Sequence, residues 1–178
     1  MVLLREAVFS DYKAIAQLHA DSWKKTYRGI LSEDYLKNEV DADRLNVWHQ
    51  RLQQPDKNQR TGVALRNNEI VGFCCAILND DPVFGTLIDN LHVSSTVQKS
   101  GIGRALLTDL AQYICEKCGD RRMYLWVYPS NTNARIFYER LGGIFAEEVE
   151  KPNDDGTTSL SCRYTWENSG TLLVQRNN

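Results

Sequence analysis

A pair of closely spaced glycines is the first feature of this 178-residue chain that points to chemistry. The stretch Leu91-His92-Val93-Ser94-Ser95-Thr96-Val97-Gln98-Lys99-Ser100-Gly101-Ile102-Gly103-Arg104-Ala105-Leu106-Leu107 reads as a strand end, a polar turn and the mouth of an amphipathic helix. Glycines let a ligand approach the backbone, and the N–H groups and dipole of a helix start favour an anion. The pattern is an anion cradle or, more blandly, a plain helix start. A dinucleotide fold would want a third glycine where Leu106 stands, and an acidic ribose ligand. A phosphate loop would want Gly-Lys-Ser/Thr, which is absent. The pair Cys115-Glu116-Lys117-Cys118 sits near a helix end with no second pair, so ordinary structural thiols are expected. His19, His49 and His92 lack metal-ligand spacing, and no metal is expected.

The elements that must position the cradle alternate along the chain. Val2 to Ala7 reads as a strand. A helix follows from Ser10-Asp11, with Ser10 as its N-cap, to about Lys25, with Ile15, Leu18 and Trp23 roughly on one face. Ser32-Glu33-Asp34 caps a second helical piece. Asp41 or Asp43 begins a third, with Leu45, Trp48 and Leu52 at helical spacing. From residue 60 the period becomes strand-like: Thr61 to Arg66 and Glu69 to Leu78 are joined by Asn67-Asn68, a hairpin turn that Asn tolerates. Further strands are Thr86 to Val93, Met123 to Tyr128, Ile144 to Glu150 and Thr157 to Trp166. Helices run from Gly101 to about Lys117, with Leu107, Leu110, Ala111, Ile114 and Cys118 on one face, and from Thr132 to Leu141. The sum is a mixed α/β sheet, antiparallel at both ends, with helices between.

A second segment, Asn131-Thr132-Asn133-Ala134-Arg135-Ile136-Phe137-Tyr138-Glu139-Arg140-Leu141-Gly142, gives the glycine pair a context. Together the two resemble the GNAT superfamily of N-acetyltransferases. Gln98-Lys99-Ser100-Gly101-Ile102-Gly103 matches that family's acetyl-CoA loop, Gln/Arg-x-x-Gly-x-Gly/Ala. The second segment matches Asn-x-x-Ala-x-x-Phe-Tyr-Glu-x-x-Gly. The likeness is strong over residues 86–145 and holds in outline elsewhere. Ser22-Trp23-Lys24-Lys25-Thr26-Tyr27-Arg28-Gly29 is similar to the Ser-Trp-x-x-x-Tyr-x-Gly of one branch. Gly143 departs from the pattern, since many members carry an aromatic there.

The resemblance implies a GNAT-like, mostly antiparallel sheet of about seven strands flanked by helices. It implies one N-acetyltransferase domain over residues 1–168, with 169–178 as a tail. Backbone groups of Leu91, His92 and Val93 would pair with the pantetheine arm of acetyl-CoA. The N–H groups of Gln98, Lys99, Ser100, Gly101, Ile102, Gly103 and Arg104 would hold the pyrophosphate. Asn131 would bond the cofactor's amide region, and Tyr138 would lie near the thioester sulfur as general acid. Some members carry an acid near Asp89, which makes it one candidate base. His92, with a reference pKa near neutrality, is the other. Along a regular strand Asp89, Leu91 and Val93 share one face, and Ile88, Asn90 and His92 the other. The choice between them stays open. Trp23 and Tyr27, on one helix face, are the expected acceptor contacts. Trp48 is expected in the core.

Composition bounds the rest. Lys plus Arg number 21 against 23 acids, so a basic nucleic-acid-binding surface is not expected. No apolar run is long enough to span a bilayer, and no membrane partner is expected. Met1-Val2-Leu3-Leu4-Arg5-Glu6 is charged too soon for a signal peptide, which makes a cytoplasmic protein with reduced cysteines the expectation. The expected reaction is direct acetyl transfer to a primary amine of a small molecule or peptide. Homodimers are common in the family. One rival reading is a CoA-binding regulatory module without turnover; another is a nucleotide-dependent oxidoreductase.

Overall fold

The computed structural model describes residues 2–174. Strands β1 (Leu3–Glu6), β2 (Gln59–Arg66), β3 (Glu69–Asp81), β4 (Gly85–Val93), β5 (Met123–Val127), β6 (Ile144–Pro152) and β7 (Thr158–Trp166) form one sheet. Their order is β1-β2-β3-β4-β5-β7-β6. All neighbours are antiparallel except β4 and β5. The β2–β3 hairpin turns at Asn67 and Asn68, whose φ values of 53° and 64° fit the turn that the dipeptide suggests.

Helices α1 (Tyr12–Thr26) and α2 (Val40–Gln53) cover one face of the sheet. Helices α3 (Ile102–Lys117), α4 (Thr132–Arg140) and α5 (Thr171–Val174) cover the other. Period two assigns each strand residue to a side: Val63, Phe73 and Cys75 pack under α1 and α2, while Ala64, Cys74 and Ala76 pack under α3. On α3 the expected stripe Leu107, Leu110, Ala111 and Ile114 is fully buried. The buried face of α1 is Ile15, Ala16, His19 and Ala20, with Leu18 and Trp23 at its margins. Trp48 lies in the core at 0% exposure.

Local details depart from the sequence reading. Ser10 does not cap α1. It lies in a 3-10 turn, Phe9–Asp11, where the Asp11 carboxylate accepts the Val8 N–H at 2.8 Å and pairs with Arg5. Ser32 does cap, accepting the Tyr35 N–H at 3.1 Å. The piece it begins is a π turn, Tyr35–Glu39, running directly into α2. Of the expected tail, residues 169–174 pack against α3: Leu172 is 1% exposed, and Ser169 lies 3.5 Å from the Cys115 sulfur. Residues 175–178 lie outside the described residues.

Two irregularities shape the centre of the sheet. The β4–β5 ladder spans three pairs, Thr86 to Met123, Leu87 to Tyr124 and Ile88 to Leu125. Beyond them β4 runs on to Val93 and β5 to Val127 without pairing, so the sheet opens there. At the same level β4 bulges. Cys75 faces Asn90 and Ala76 faces Ile88, leaving Asp89 as the extra residue.

Candidate active site

The bulge corrects the expected alternation along β4. One additional residue shifts every later side chain by one position, so the faces must be read in two halves. Ile88, Leu91 and Val93 pack with the α3 cluster. Asp89 and Asn90 both turn toward α2, where Arg51 Nη1 donates to Asp89 Oδ2 at 2.6 Å and to Asn90 Oδ1 at 3.0 Å. His92 lies on that same side, against Phe73 and His19, with ring centroids 5.3 and 4.5 Å apart. Asp89 and His92 therefore share a face.

Their surroundings differ. Asp89 is half-exposed and held by its ion pair with Arg51. His92 has its Nδ1 2.8 Å from Ser22 Oγ of α1. Burial, and then the charge of Arg44, push the His92 pKa down to about 4. Behind it His19 is buried, and its Nδ1 accepts the Trp48 indole N–H at 2.9 Å. Burial first, then the charges of His92, Arg44 and Arg51, hold His19 well below the ordinary imidazole range. Both rings are neutral at pH 7.

Tyr138 belongs to the opposite face of the sheet, in the cluster under α3. It sits on α4, whose start is capped by Asn131, with Oδ1 accepting the Ala134 N–H at 3.3 Å. Tyr138 is 9% exposed and packs against Phe137 and Trp166. Burial, then the nearby Tyr27 hydroxyl and Cys74 thiol, raise its pKa far above neutrality, so it stays a proton donor. Tyr27, at the end of α1, lies edge-on to Tyr128 just past β5, at 4.9 Å. Its pKa is raised by burial and by Tyr128. Tyr128 is pushed up to about 12 by burial and by Asp154 and Asp155, and its hydroxyl donates to Asn153 at 2.9 Å.

Trp23 stands further back. Its ring carries the Arg44 guanidinium at 4.3 Å and meets His19 edge-on at 4.9 Å. Arg44 Nη2 donates to Asp43 and Asp154, each at 2.7 Å, tying α2 to the β6–β7 hairpin. The Ser32 N–H donates to Asp155 at 2.6 Å and makes a second tie. A groove of about 630 Å³ opens beside them, lined by Tyr35, Asn38, Glu39, Ala42, Asp43, Arg44, Val47 and Asp154. Three carboxylates face one guanidinium there.

The anion cradle keeps the shape that its glycines suggest. Lys99 and Gly101 have φ values of 64° and 83°, which turn successive backbone groups to one side. A Cβ on Gly101 would meet nothing within 4 Å, so the loop mouth is open, while one on Gly103 would come 3.3 Å from Phe137. The Ala105 N–H donates to the Gly101 carbonyl at 2.9 Å and closes the first turn of α3 directly behind the loop. The open β4 edge and this loop together suit a long ligand with an extended amide-bearing arm and a phosphate end. Such a ligand can pair as a strand and finish on a helix start.

Sequence reasoning missed Ser22, His19, Arg44 and Arg51 as neighbours of this centre. No periodic signal marks them, because their contacts span 24 to 110 residues of chain. Among the described residues no group of His, Cys, Asp and Glu is arranged to hold a metal. None of the described helices is long and apolar enough to cross a membrane.

Known proteins resemble this chain in sequence and in fold. The acetyltransferase (GNAT) family model matches residues 15–143. An uncharacterized N-acetyltransferase of Bacillus subtilis, YuaI, is 30% identical over 144 residues, 78% of each chain. The PaiA N-acetyltransferase of Thermoplasma acidophilum, solved with coenzyme A, superposes with a TM-score of 0.70 at 19% identity, covering 93% of this chain and 99% of that one. Arabidopsis thaliana NAA60, solved with a bisubstrate analogue, gives 0.69 at 20% identity, covering 93% and 97%. The match across 129 residues, both motifs included, means that the chain belongs to the GNAT acetyltransferase family.

Proposed function

We propose that the protein transfers an acetyl group from acetyl-CoA directly to a primary amine of a small molecule or peptide. The observation that carries this reading is the gap between β4 and β5, with His92 on the α1 face of β4 beside it and Tyr138 on α4, which follows β5, in the cluster on the opposite face. Bound there, acetyl-CoA supplies the activated acetyl thioester. Leu91, His92 and Val93 offer their backbone to the pantetheine arm, and the N–H groups from Gln98 to Arg104 offer theirs to the pyrophosphate. Asn131 caps α4 with its side-chain oxygen and keeps its amide NH2 for the cofactor.

His92 takes the proton of the attacking nitrogen, and Tyr138 gives one to the departing sulfur. Asp89, tied to Arg51, is the weaker candidate for the base. A neutral imidazole with a pKa near 4 is too weak to strip a free alkylammonium. It does suffice once the nitrogen has bonded to the carbonyl carbon and its N–H has become acidic. The acceptor therefore arrives as the free amine. Tyr27 contacts it, and Trp23 acts at one remove by seating Arg44. The acidic groove favours an acceptor with a cationic approach.

Thiol release from acetyl-CoA across an amine panel tests the reading. Turnover of at least one amine, with kcat/KM rising with pH toward that amine's own pKa, is the expected result. Tight CoA binding without turnover of any amine would favour a regulatory CoA-binding module. Nicotinamide or flavin binding would favour an oxidoreductase.

A further inference from the structure

We infer that Ser22 is a positioning residue: its hydroxyl accepts the Nδ1–H of His92 and so keeps the Nε2 lone pair turned to the acceptor amine. The inference rests on the acetyl-transfer reading for its kinetic consequence, though not for its geometry. The bulge at Asp89 brings His92 to the α1 face, and Ser22 is the group that meets it there, at 2.8 Å across 70 residues of chain. Neutral imidazole has one donor and one acceptor nitrogen, and the bond made by one fixes the role of the other. Without an anchor at Nδ1 the free nitrogen would carry the proton for part of the time and be useless as a base.

A hydroxyl suits this task better than a carboxylate. It accepts from the neutral ring and from the imidazolium alike, so the anchor need not rearrange as the proton arrives. It also carries no charge that would hold the imidazolium once formed. The other groups facing His92 are His19 from α1, held neutral chiefly by burial with its Nδ1 accepting from Trp48, and the Arg44 cation from α2. Phe73 of β3 closes the remaining side, and Arg51 and Asp89 at the bulge neutralise each other. None of these offers His92 Nδ1 an acceptor.

The step is balanced. As the N–C bond forms and the C–S bond breaks, one proton passes from nitrogen to His92 Nε2 and one from the Tyr138 hydroxyl to sulfur. Solvent returns the first to the phenolate after the products leave.

Long-range 1H–15N correlation spectra of the 15N-labelled full chain at pH 7, without ligand, read the tautomer directly. The expected spectrum has the His92 proton on Nδ1. Ser22→Ala should give mixed tautomers, and Ser22→Thr should restore the single one. With an acceptor amine in hand, Ser22→Ala should lower kcat about tenfold, the scale of one neutral hydrogen bond, and leave the KM for acetyl-CoA within about twofold. Ser22→Thr should recover most of the loss. A wild-type proton on Nε2, or a Ser22→Ala variant with unchanged spectrum and unchanged kcat, overturns the inference. If no amine is turned over, the acetyl-transfer reading fails, while the wild-type spectrum still decides the role of Ser22.

Discussion

Tyr138 and His92 occupy their positions for different physical reasons, and the difference predicts different losses. Tyr138 is buried with its pKa raised, so its proton stays in place across the working range. Tyr138→Phe removes that proton and little packing. Its kcat should fall by about 10²–10⁴, the usual range for a general acid. The Kd for CoA, measured by calorimetry, should hold within about twofold. The alkaline side of the kcat profile should show no Tyr138 ionisation below about pH 10. At the bulge, Asp89→Asn breaks a half-exposed ion pair whose loss costs less than about 1 kcal/mol. That variant should keep the wild-type acid limb of the kcat profile, whereas His92→Gln should lose it. The reverse pattern would return the role of base to Asp89.

At the scale of elements, α4 ends where Gly142 turns with a φ of 82°, and Gly143 packs that turn against β7. A Cβ on Gly143 would lie 2.6 Å from Trp166 Cζ2 and 2.9 Å from the Tyr138 carbonyl oxygen. The aromatic that many relatives carry at this point has no room here, because Trp166 of β7 fills the space and donates its indole N–H to the Leu141 carbonyl at 3.0 Å. Gly143→Ala should destabilise the fold by about 1–3 kcal/mol, as overpacking does, read from the urea midpoint. Adding Trp166→Phe should recover part of that loss. The departure at Gly143 was visible in the sequence, but its compensation was not, because it comes from a strand 23 residues later. The same division runs through the chain. Strands, helices, the Asn67-Asn68 turn and the glycine loop follow local patterns of period, cap and turn, and these could be read. The bulge at Asp89 could not, since it exists only in the pairing of two strands. Without the bulge, alternation separates Asp89 from His92 and hides the Ser22 contact.

For the molecule as a whole, a neutral polar cluster has been placed under α1 and α2, where an apolar core would otherwise continue. His19 and His92 meet there at a tilt, and Trp48 at 0% exposure ties His19 to α2. The arrangement has a cost in acid. In the unfolded chain each imidazole takes a proton near pH 6.5. In the folded chain His92 takes one only near pH 4, and burial holds His19 well below its ordinary range as well. Between those values the unfolded state binds more protons, so stability must fall as pH drops from about 6.5 toward about 4. The Asp11 carboxylate is held low by Arg5, so its own contribution is lost only at lower pH, and the two windows separate. The urea midpoint measured from pH 7.5 down to pH 4.5 should therefore decline already above the window in which the Asp11 contribution is lost. His92→Gln should make that decline shallower across the whole window, leaving the share due to His19. A slope unchanged by His92→Gln would mean that His92 takes up its proton at the same pH folded and unfolded, and burial under α1 would then not be what holds the ring neutral.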